Sequence, residues 1–454
     1  MHESLPIALL NSLDDVTGFN RKSFEEVHNN PVQVSSVRLN PLKPFTVSAS
    51  QLNIQQNVPW CMHGRYLNER PFFTFDPLLH AGAYYVQEAS SMFLWHVLEQ
   101  TLGKNTSGLR VLDLCAAPGG KSTLLASYFN DGLLVANEVI KSRANILVEN
   151  ITKWGAENAI VTCNDPSHFA KLENYFDVIV IDAPCSGSGL FRRDANAINE
   201  WSEDNVALCS QRQQRILADV YPALKKGGII IYSTCSYSRE EDEDILLWMH
   251  TRFSLNSYRL QIDEAWGVVE TEAGNGVYGY RFYPDKLKGE GFFIAAFQKT
   301  DGGDFHQYPL PLAQASKQEI AIAENWVKNN AGLFYFKQTE NILAIPEKWK
   351  QDVALLQKKL YLRKVGITVG AVKWNDLVPN HELALSMLMN KNIQAIDLNT
   401  AEAIVYLKKK EIQVNNIQKG WAVITYKGLA LGWVKVLHNR INNYYPTEWR
   451  ILKD

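Results

Sequence analysis

VLDLCAAPGGKST, Val111 to Thr123, sets an apolar run, a glycine loop and the start of an amphipathic segment end to end. Read as strand, turn and helix, it aims backbone N–H groups and the positive end of a helix at one point, a geometry suited to holding a ligand. On its C-terminal side the pattern repeats: KSTLLASYF, LLVANE, SRANILVENITKWG, AIVTCND, FDVIVID, a long helix through CSQRQQRILADVYPAL, then GIIIYST. The strands among these are apolar on both faces and need cover on both sides. The alternation therefore predicts an α/β domain with a mostly parallel, doubly wound sheet. On the N-terminal side, AYYVQEASSMFLWHVLEQTL reads as a helix, with Ala83, Val86, Met92, Trp95 and Leu98 among its apolar positions. Farther out, SVRLNPLKPFTV, Ser36 to Val47, alternates and predicts a short strand-rich N-terminal module.

The chain has 454 residues, 46% of them apolar, enough for two to four domains with cores of their own. Composition breaks at TDGGD, near Thr300, and the remainder mixes helices with short strands up to a β-rich tail, AVITYKGLALGWVKVLHNRINNYYPTEWRI. Domains are expected at 1–75, 76–300, 301–375 and 376–454. The longest apolar runs, such as VIVI and GGIII, fall far short of the ~18 to 20 residues that span a bilayer. MHESLPIALLNSLDD lacks the basic and apolar regions of a secretory signal, so a cytoplasmic protein with no membrane partner is expected. Cys61, Cys115, Cys163, Cys185, Cys209 and Cys235 contain no C-x-x-C pair and the histidines no H-x-x-x-H pair, which argues against a disulfide framework and against a metal. The net charge of −2 hides an asymmetry: residues 301–454 carry 20 Lys and Arg against 14 Asp and Glu, leaving 26 against 34 in residues 1–300. QKKLYLRK, Gln357 to Lys364, and LKKK, Leu407 to Lys410, hold much of that surplus, which suits either a nucleic-acid surface or solvated helix faces.

Three ligands compete for the first glycine loop. Gly120-Lys121-Ser122 end a phosphate-binding loop, but its first glycine would fall at Cys115. Pro118-Gly119-Gly120 does not supply the Gly-x-Gly-x-x-Gly of a dinucleotide site. S-adenosylmethionine has no phosphates and needs only close backbone approach. The next two strands favour it: LLVANE ends in Glu138, able to accept from both ribose hydroxyls, and AIVTCND ends in Asp165, able to accept from an adenine amino group. With Asp113 in the first strand, acids stand at three successive strand ends.

Cys185 follows the fourth strand, in DAPCSGSG, and Cys235 the fifth, in YSTCSYS, so both belong on the rim that faces the cofactor crevice. Two thiols, an acid and a methyl donor on one rim suggest methylation of a pyrimidine at C5. That carbon is too weak a nucleophile unaided; a thiolate must add at C6, and after transfer the C5 proton and the thiol leave. Asp182 is placed to share a proton with the ring as charge builds. Chemistry alone does not rank Cys185 against Cys235.

CAAPGGKS, DAPCSGSG and YSTCSYSREEDE closely resemble the signature motifs of the Nop/Sun family of RNA cytosine-5 methyltransferases. VRLN (Val37 to Asn40), HAGAYYVQEASSM (His80 to Met92) and RFYPDKLKGEGFFIA (Arg281 to Ala295) look like further family positions, and GWVKVLHNRINNYYPTEWRI is similar to the end of the bacterial RsmF-like branch. The resemblance implies a Rossmann-like class I methyltransferase sheet with one antiparallel strand, a small N-terminal α+β RNA-binding module and a PUA-like C-terminal RNA-binding domain. It implies an S-adenosylmethionine-dependent enzyme acting on 16S ribosomal RNA or the small ribosomal subunit. Carried over, Cys115, Ala116, Ala117, Pro118, Gly119, Gly120 and Lys121 cradle the cofactor, with Glu138 on the ribose and Asp165 on the adenine. Asp182 and Lys121 face the base, Cys235 is the nucleophile, and Cys185 assists product release. Glu241-Asp242-Glu243 stands where many members have Glu-Asn-Glu, and a helix N-terminus favouring acids accounts for it.

The target base must leave its stack to reach a rim cysteine. Arg38, Lys43, Arg192 and Arg193, with Lys435, Arg440 and Arg450 in the tail, are candidates for phosphate contact. Trp433, Tyr444, Tyr445 and Trp449 suit either base stacking or the core of a β module. A monomer with no DNA partner is expected. Transfer RNA is the second substrate to consider, and two other classes stay open: a nucleotide hydrolase using GGKST, and a non-catalytic RNA-binding ribosome assembly factor.

Overall fold

Phe176 and Val178 to Ile181 are buried on both faces of their strand, as an apolar run without alternation requires. Each such side chain contributes about 1.5–3 kcal/mol on burial, and neighbouring runs of the same kind build the sheet around it. A computed structural model describes residues 4–30, 32–47, 50–306, 308–328, 332–413 and 417–453.

The N-terminal sheet is antiparallel and joins β1 (Ser35–Leu39), β2 (Ile54–Asn57), β3 (Gly64–Leu67) and β4 (Tyr84–Val86) in the order β2-β3-β1-β4. Its last strand lies inside the segment expected to be one helix. Val86 pairs with Val37 and Tyr84 with Leu39, so the helix begins only at Leu94 and runs to Leu102. Sheet pairing has overridden the local helical pattern, and the boundary expected at residue 75 falls before the sheet is complete.

The large sheet has the parallel core expected. β5 (Arg110–Asp113), β6 (Leu133–Asn137), β7 (Ala159–Thr162), β8 (Phe176–Asp182) and β9 (Leu224–Thr234) stand in the order β7-β6-β5-β8-β9, all parallel. The order reverses between β6 and β8 on either side of β5, the kind of switch point at which open α/β sheets bind ligands. Helices Gly120–Tyr128 and Lys141–Trp154 cover one face; helices Glu203–Val220 and Glu243–Arg252 cover the other. Beyond β9 the sheet continues antiparallel. β10 (Leu255–Ser257) and β12 (Val277–Phe282) pair with β13 (Phe292–Lys299), which pairs with β9, and β11 (Val269–Gly274) forms the outer edge. The antiparallel part is thus larger than the single strand expected.

A third sheet holds β14 (Leu333–Gln338), β15 (Asn341–Pro346), β17 (Ile367–Lys373) and β18 (Asp376–Pro379). The intervening strand, β16 (Leu362–Val365), leaves it to pair antiparallel with β7 and closes that edge of the large sheet. The boundary expected at residue 375 falls within the turn joining β17 to β18. The C-terminal sheet orders β19 (Ala395–Asp397), β20 (Gly420–Tyr426), β21 (Leu429–Val436) and β22 (Ile441–Asn443) as expected of a β-rich tail. One core shared by Val37, Leu67 and Tyr84 with Ile424, Val434 and Ile451 packs it against the N-terminal sheet. Among the described residues no helix is long and apolar enough to cross a membrane.

Candidate active site

The loop after β5 is held from several sides. Ala116 N–H donates to the Asn137 carbonyl (2.8 Å), Arg143 Nη2 to the Ala117 carbonyl (2.8 Å) and Asn150 Nδ2 to the Pro118 carbonyl (2.8 Å). Gly119 turns the chain into the helix at φ 118°, a left-handed value that favours glycine, while Leu147 Cδ1 stands 3.2 Å from where a Cβ would sit. The groups a phosphate loop would use are committed elsewhere. Lys121 Nζ lies 2.8 Å from Asp182 Oδ2 and 5.0 Å from the Phe292 ring centre, and Ser122 Oγ donates to Asp113 Oδ2 at 2.6 Å.

Asn137, the last residue of β6, ties the strand ends together. Its Nδ2 donates to the Leu114 and Asn164 carbonyls (3.1 and 2.9 Å), and its Oδ1 accepts from Thr162 Oγ1 and Asn164 N–H (2.8 and 2.9 Å). The next residue, Glu138, accepts from Ile140 N–H (2.9 Å) and lies 3.7 Å from Arg143 Nη1. Asp165 accepts from Ser167 N–H and Oγ, which hold its carboxyl below the usual range.

These strand ends open on a cavity of about 540 Å³, whose walls include Cys115, Ala117, Glu138, Asp165, Asp182, Cys185 and Cys235. Ala116 and Gly119 are buried in the loop, Pro118 is exposed, and Gly120 and Lys121 are half-buried at the helix start. Val139 and Ile140 are 55% and 48% exposed beside Glu138, an apolar ledge within an acidic wall. Behind that wall, Asp113 is fully buried and its Oδ1 has no hydrogen-bond partner; burial, against the Ser122 hydrogen bond, pushes its carboxyl up to about 7. The acids of this wall suit a ligand with cationic and hydroxyl donors. Among the described residues no cluster of His, Cys, Asp and Glu could hold a metal.

The two cysteines meet at the ends of β8 and β9, with Cys185 Sγ 3.0 Å from Cys235 Sγ. That hydrogen bond, then burial, then the charges of Cys235 and Glu241, push the Cys185 thiol well above its ordinary range. Every residue of the SGSG that follows Cys185, bar Gly187, is tied to the Cys235 loop or to Glu241. Ser186 bonds Glu241, Ser188 Oγ accepts from Tyr237 N–H (2.9 Å), and Gly189 N–H donates to the Cys235 carbonyl (2.8 Å). A Cβ on Gly189 would lie 2.6 Å from the Gly291 carbonyl oxygen and 2.7 Å from that of Cys235, so only glycine permits this approach. Asp182 completes the rim, accepting from Ser233 Oγ at 2.9 Å.

The acids after Cys235 are more than a helix-dipole preference. Glu241 is fully buried and accepts from Ser186 N–H (2.9 Å), Ser186 Oγ (2.5 Å), Ser236 Oγ (2.6 Å) and Gln213 Nε2 (3.0 Å). Asp242 accepts from Thr234 Oγ1 (2.6 Å) and pairs with Arg281, which also grips Glu243 through two nitrogens. A run of acids at a helix start hides this in the sequence, because the partners lie as far as 55 residues away.

Several residues expected to contact RNA do not face solvent. Arg38 is fully buried, donating to Gln87 Oε1 (2.8 Å), the Gly120 carbonyl (3.1 Å) and Thr123 Oγ1 (2.6 Å); it braces helix Gly120–Tyr128 against the N-terminal sheet. Arg192 is buried against Glu290 (3.2 Å) and the Val32 carbonyl (2.8 Å), and buried Lys43 caps the Ala81 and Lys153 carbonyls. None of the three can reach a phosphate without breaking these contacts. Trp433 and Tyr445 belong to the core. Lys435 Nζ sits 5.0 Å from the Trp421 ring centre, Trp449 is half-buried, Arg193 is exposed with its Nε 3.7 Å from Glu290, and Arg440, Tyr444 and Arg450 are exposed. Exposed Arg212 and Arg215, one turn apart on helix Glu203–Val220, line the cavity mouth. Their spacing in CSQRQQR was legible, but which helix face met the cavity was not.

Residues 100–298 match a family described as 16S rRNA methyltransferase RsmB/F, residues 5–89 the N-terminal domain of 16S rRNA methyltransferase RsmF, and residues 393–451 the methyltransferase RsmF PUA domain. The chain is similar to the ribosomal RNA small subunit methyltransferase F of Psychromonas ingrahamii, at 30% identity over 91% of this chain and 90% of the relative. With the protein of that name from Shewanella woodyi it shares 31% identity over 91% and 90%. Among solved structures, a methyltransferase homolog protein from Pyrococcus horikoshii superposes with a TM-score of 0.51 at 30% identity, covering 65% of this chain and 100% of its own. NSun6 from the same organism shares the fold, with a TM-score of 0.55 at 20% identity over 66% and 100%.

Proposed function

The chain belongs to the ribosomal RNA small subunit methyltransferase F family, and from that premise we propose that it methylates C5 of a cytosine in 16S ribosomal RNA, using S-adenosylmethionine and a covalent Cys235–C6 adduct. The observation that carries the reading is the pair of thiols 3.0 Å apart in an acid-walled cavity at adjoining strand ends.

Bound S-adenosylmethionine supplies an electrophilic methyl group. The residues present fit it: Glu138 would hold the ribose hydroxyls, Asp165 the adenine amino group, and the Cys115–Lys121 loop the amino-acid part, with the Val139–Ile140 ledge against the base. The chain's own residues act on the target ring. Cys235, as thiolate, forms an S–C6 bond, and the displaced electrons enrich C5 while Asp182 and Lys121 share a proton with the ring at N3. Once C5 carries the methyl group, its proton passes to water, the C5=C6 bond re-forms, and the C6–S pair returns to Cys235. Cys185, kept as a thiol, donates to that departing sulfur. Arg193, Lys435 and Arg440, joined by Arg212 and Arg215, are the proposed phosphate contacts.

Bisulfite mapping of ribosomal and transfer RNA from cells with and without the gene tests the reading. One cytosine of 16S ribosomal RNA should lose protection when the gene is absent; unchanged protection everywhere would sink it.

A further inference from the structure

Neither cysteine is placed by its strand alone. Cys185 and Cys235 lie just past β8 and β9, whose pairing ends where Ala183 N–H donates to the Ser233 carbonyl; farther along, Gly189 N–H to the Cys235 carbonyl and Tyr237 N–H to Ser188 Oγ join the two loops again. The residues immediately after them, Ser186 and Ser236, both bond one carboxylate. Glu241 Oε2 accepts from Ser186 Oγ and Ser236 Oγ, while Oε1 accepts from Ser186 N–H and from Gln213 Nε2, which also donates to the Pro184 carbonyl at 3.1 Å. The carboxylate thus reaches the backbone on both sides of Cys185 and the side chain next to Cys235. Its own backbone is anchored as well, its carbonyl accepting from Tyr232 Oη at 2.7 Å.

We infer that Glu241 is a positioning residue for the release step: it holds the two cysteine loops together so that the Cys185 S–H stays within reach of the Cys235 sulfur. A carboxylate suits the task because it accepts at both oxygens, and all four groups facing it donate. Its negative charge, beside the hydrogen bond to Cys235 and burial, also favours the protonated form of Cys185, the form that can donate. Of the two thiols, addition needs only that of Cys235. Release needs both thiols in register: the C6–S bond breaks, its electron pair passes to Cys235 sulfur, the C5 proton goes to water, and the Cys185 thiol donates to the emerging thiolate. Loosening the clasp should therefore slow release more than addition.

The inference rests on the cysteine chemistry proposed above, and one experiment separates the two. Glu241→Gln keeps the shape but presents an amide N–H₂ to donors; Ser186→Ala removes one strut and guards against a variant that fails to fold. Each is incubated with 16S ribosomal RNA and S-adenosylmethionine beside Cys185→Ala, and the protein trapped on RNA is read on denaturing gels along with steady-state rates and thermal midpoints. Both variants should trap RNA above the parent level, with kcat reduced about tenfold to a hundredfold, as small misplacements of reacting groups cost, and KM lowered along with it, because slowing a step after methyl transfer leaves kcat/KM little changed. A destabilised fold alone would lower both activity and adduct. If Cys185→Ala traps RNA while Glu241→Gln and Ser186→Ala do not, Glu241 has no part in release. If Cys185→Ala traps none, the cysteine chemistry itself fails.

Discussion

Replacing Arg281 by Met probes the support beneath the Cys235 loop. The guanidinium is 1% exposed; its Nε donates to Glu243 Oε1 at 2.6 Å, its Nη1 donates to the Tyr237 carbonyl at 2.9 Å and lies 3.2 Å from Asp242 Oδ2, and its Nη2 pairs with Glu243 Oε2. Asp242 in turn accepts from Thr234 Oγ1, one residue before Cys235. Methionine fills much of the volume but leaves two buried carboxylates without their counter-ion, a change that costs about 3–5 kcal/mol. With a urea slope of about 3 kcal/mol/M for a domain of this size, the midpoint should fall by about 1–1.7 M. The destabilisation has a pH signature. Burial already pushes the Asp242 carboxyl up and Arg281 opposes it, so without Arg281 the folded carboxyls bind protons more tightly than the unfolded ones. Ionisation then favours unfolding, and the penalty should grow from pH 5 to pH 8. Adding Asp242→Asn should recover part of the stability at pH 8 and little at pH 5. Urea unfolding followed by tryptophan fluorescence at both pH values reads all of this. A midpoint within about 0.3 M of the parent at pH 8, or a destabilisation independent of pH, would refute the reasoning.

At the cavity mouth, Arg212→Ala with Arg215→Ala should weaken RNA binding and lower the slope of log K against log salt by about 0.7 for each phosphate no longer neutralised; an unaltered salt slope would contradict the placement. The two glycines after Cys185 should behave differently. Gly189→Ala forces a Cβ against the Gly291 and Cys235 carbonyls and should abolish methyl transfer, whereas Gly187→Ala meets open space and should cost only about 1 kcal/mol for its left-handed φ of 78°. Equal thermal midpoints and equal rates for the pair would overturn that distinction.

The strand, loop and helix at Val111–Thr123 were legible because their chemistry is local: apolar runs, a glycine that must turn, and acids at strand ends. The cysteines were legible for the same reason, each following an apolar strand. Features hidden in the sequence depend on distant partners. Tyr84 to Val86 carry a helical pattern but gain more by pairing with β1. Arg38 and Arg192 have the composition of phosphate contacts, yet they are consumed by Gln87, Thr123 and Glu290 from other parts of the chain. Glu241 and Asn137 each satisfy partners on two or three separate strand ends, a role no spacing announces. The packing of the C-terminal sheet on the N-terminal one, through Tyr84, Ile424 and Val434, is likewise invisible in the sequence.

The central claim is that Cys235 attacks the base and Cys185 releases it, and the most direct measurement compares the two single variants for covalent capture of 16S ribosomal RNA. Cys185→Ala should accumulate a protein–RNA adduct that survives denaturation, because addition proceeds and elimination stalls, while Cys235→Ala should form none. Capture by Cys235→Ala but not by Cys185→Ala would exchange their roles, and capture by neither would contradict the covalent mechanism.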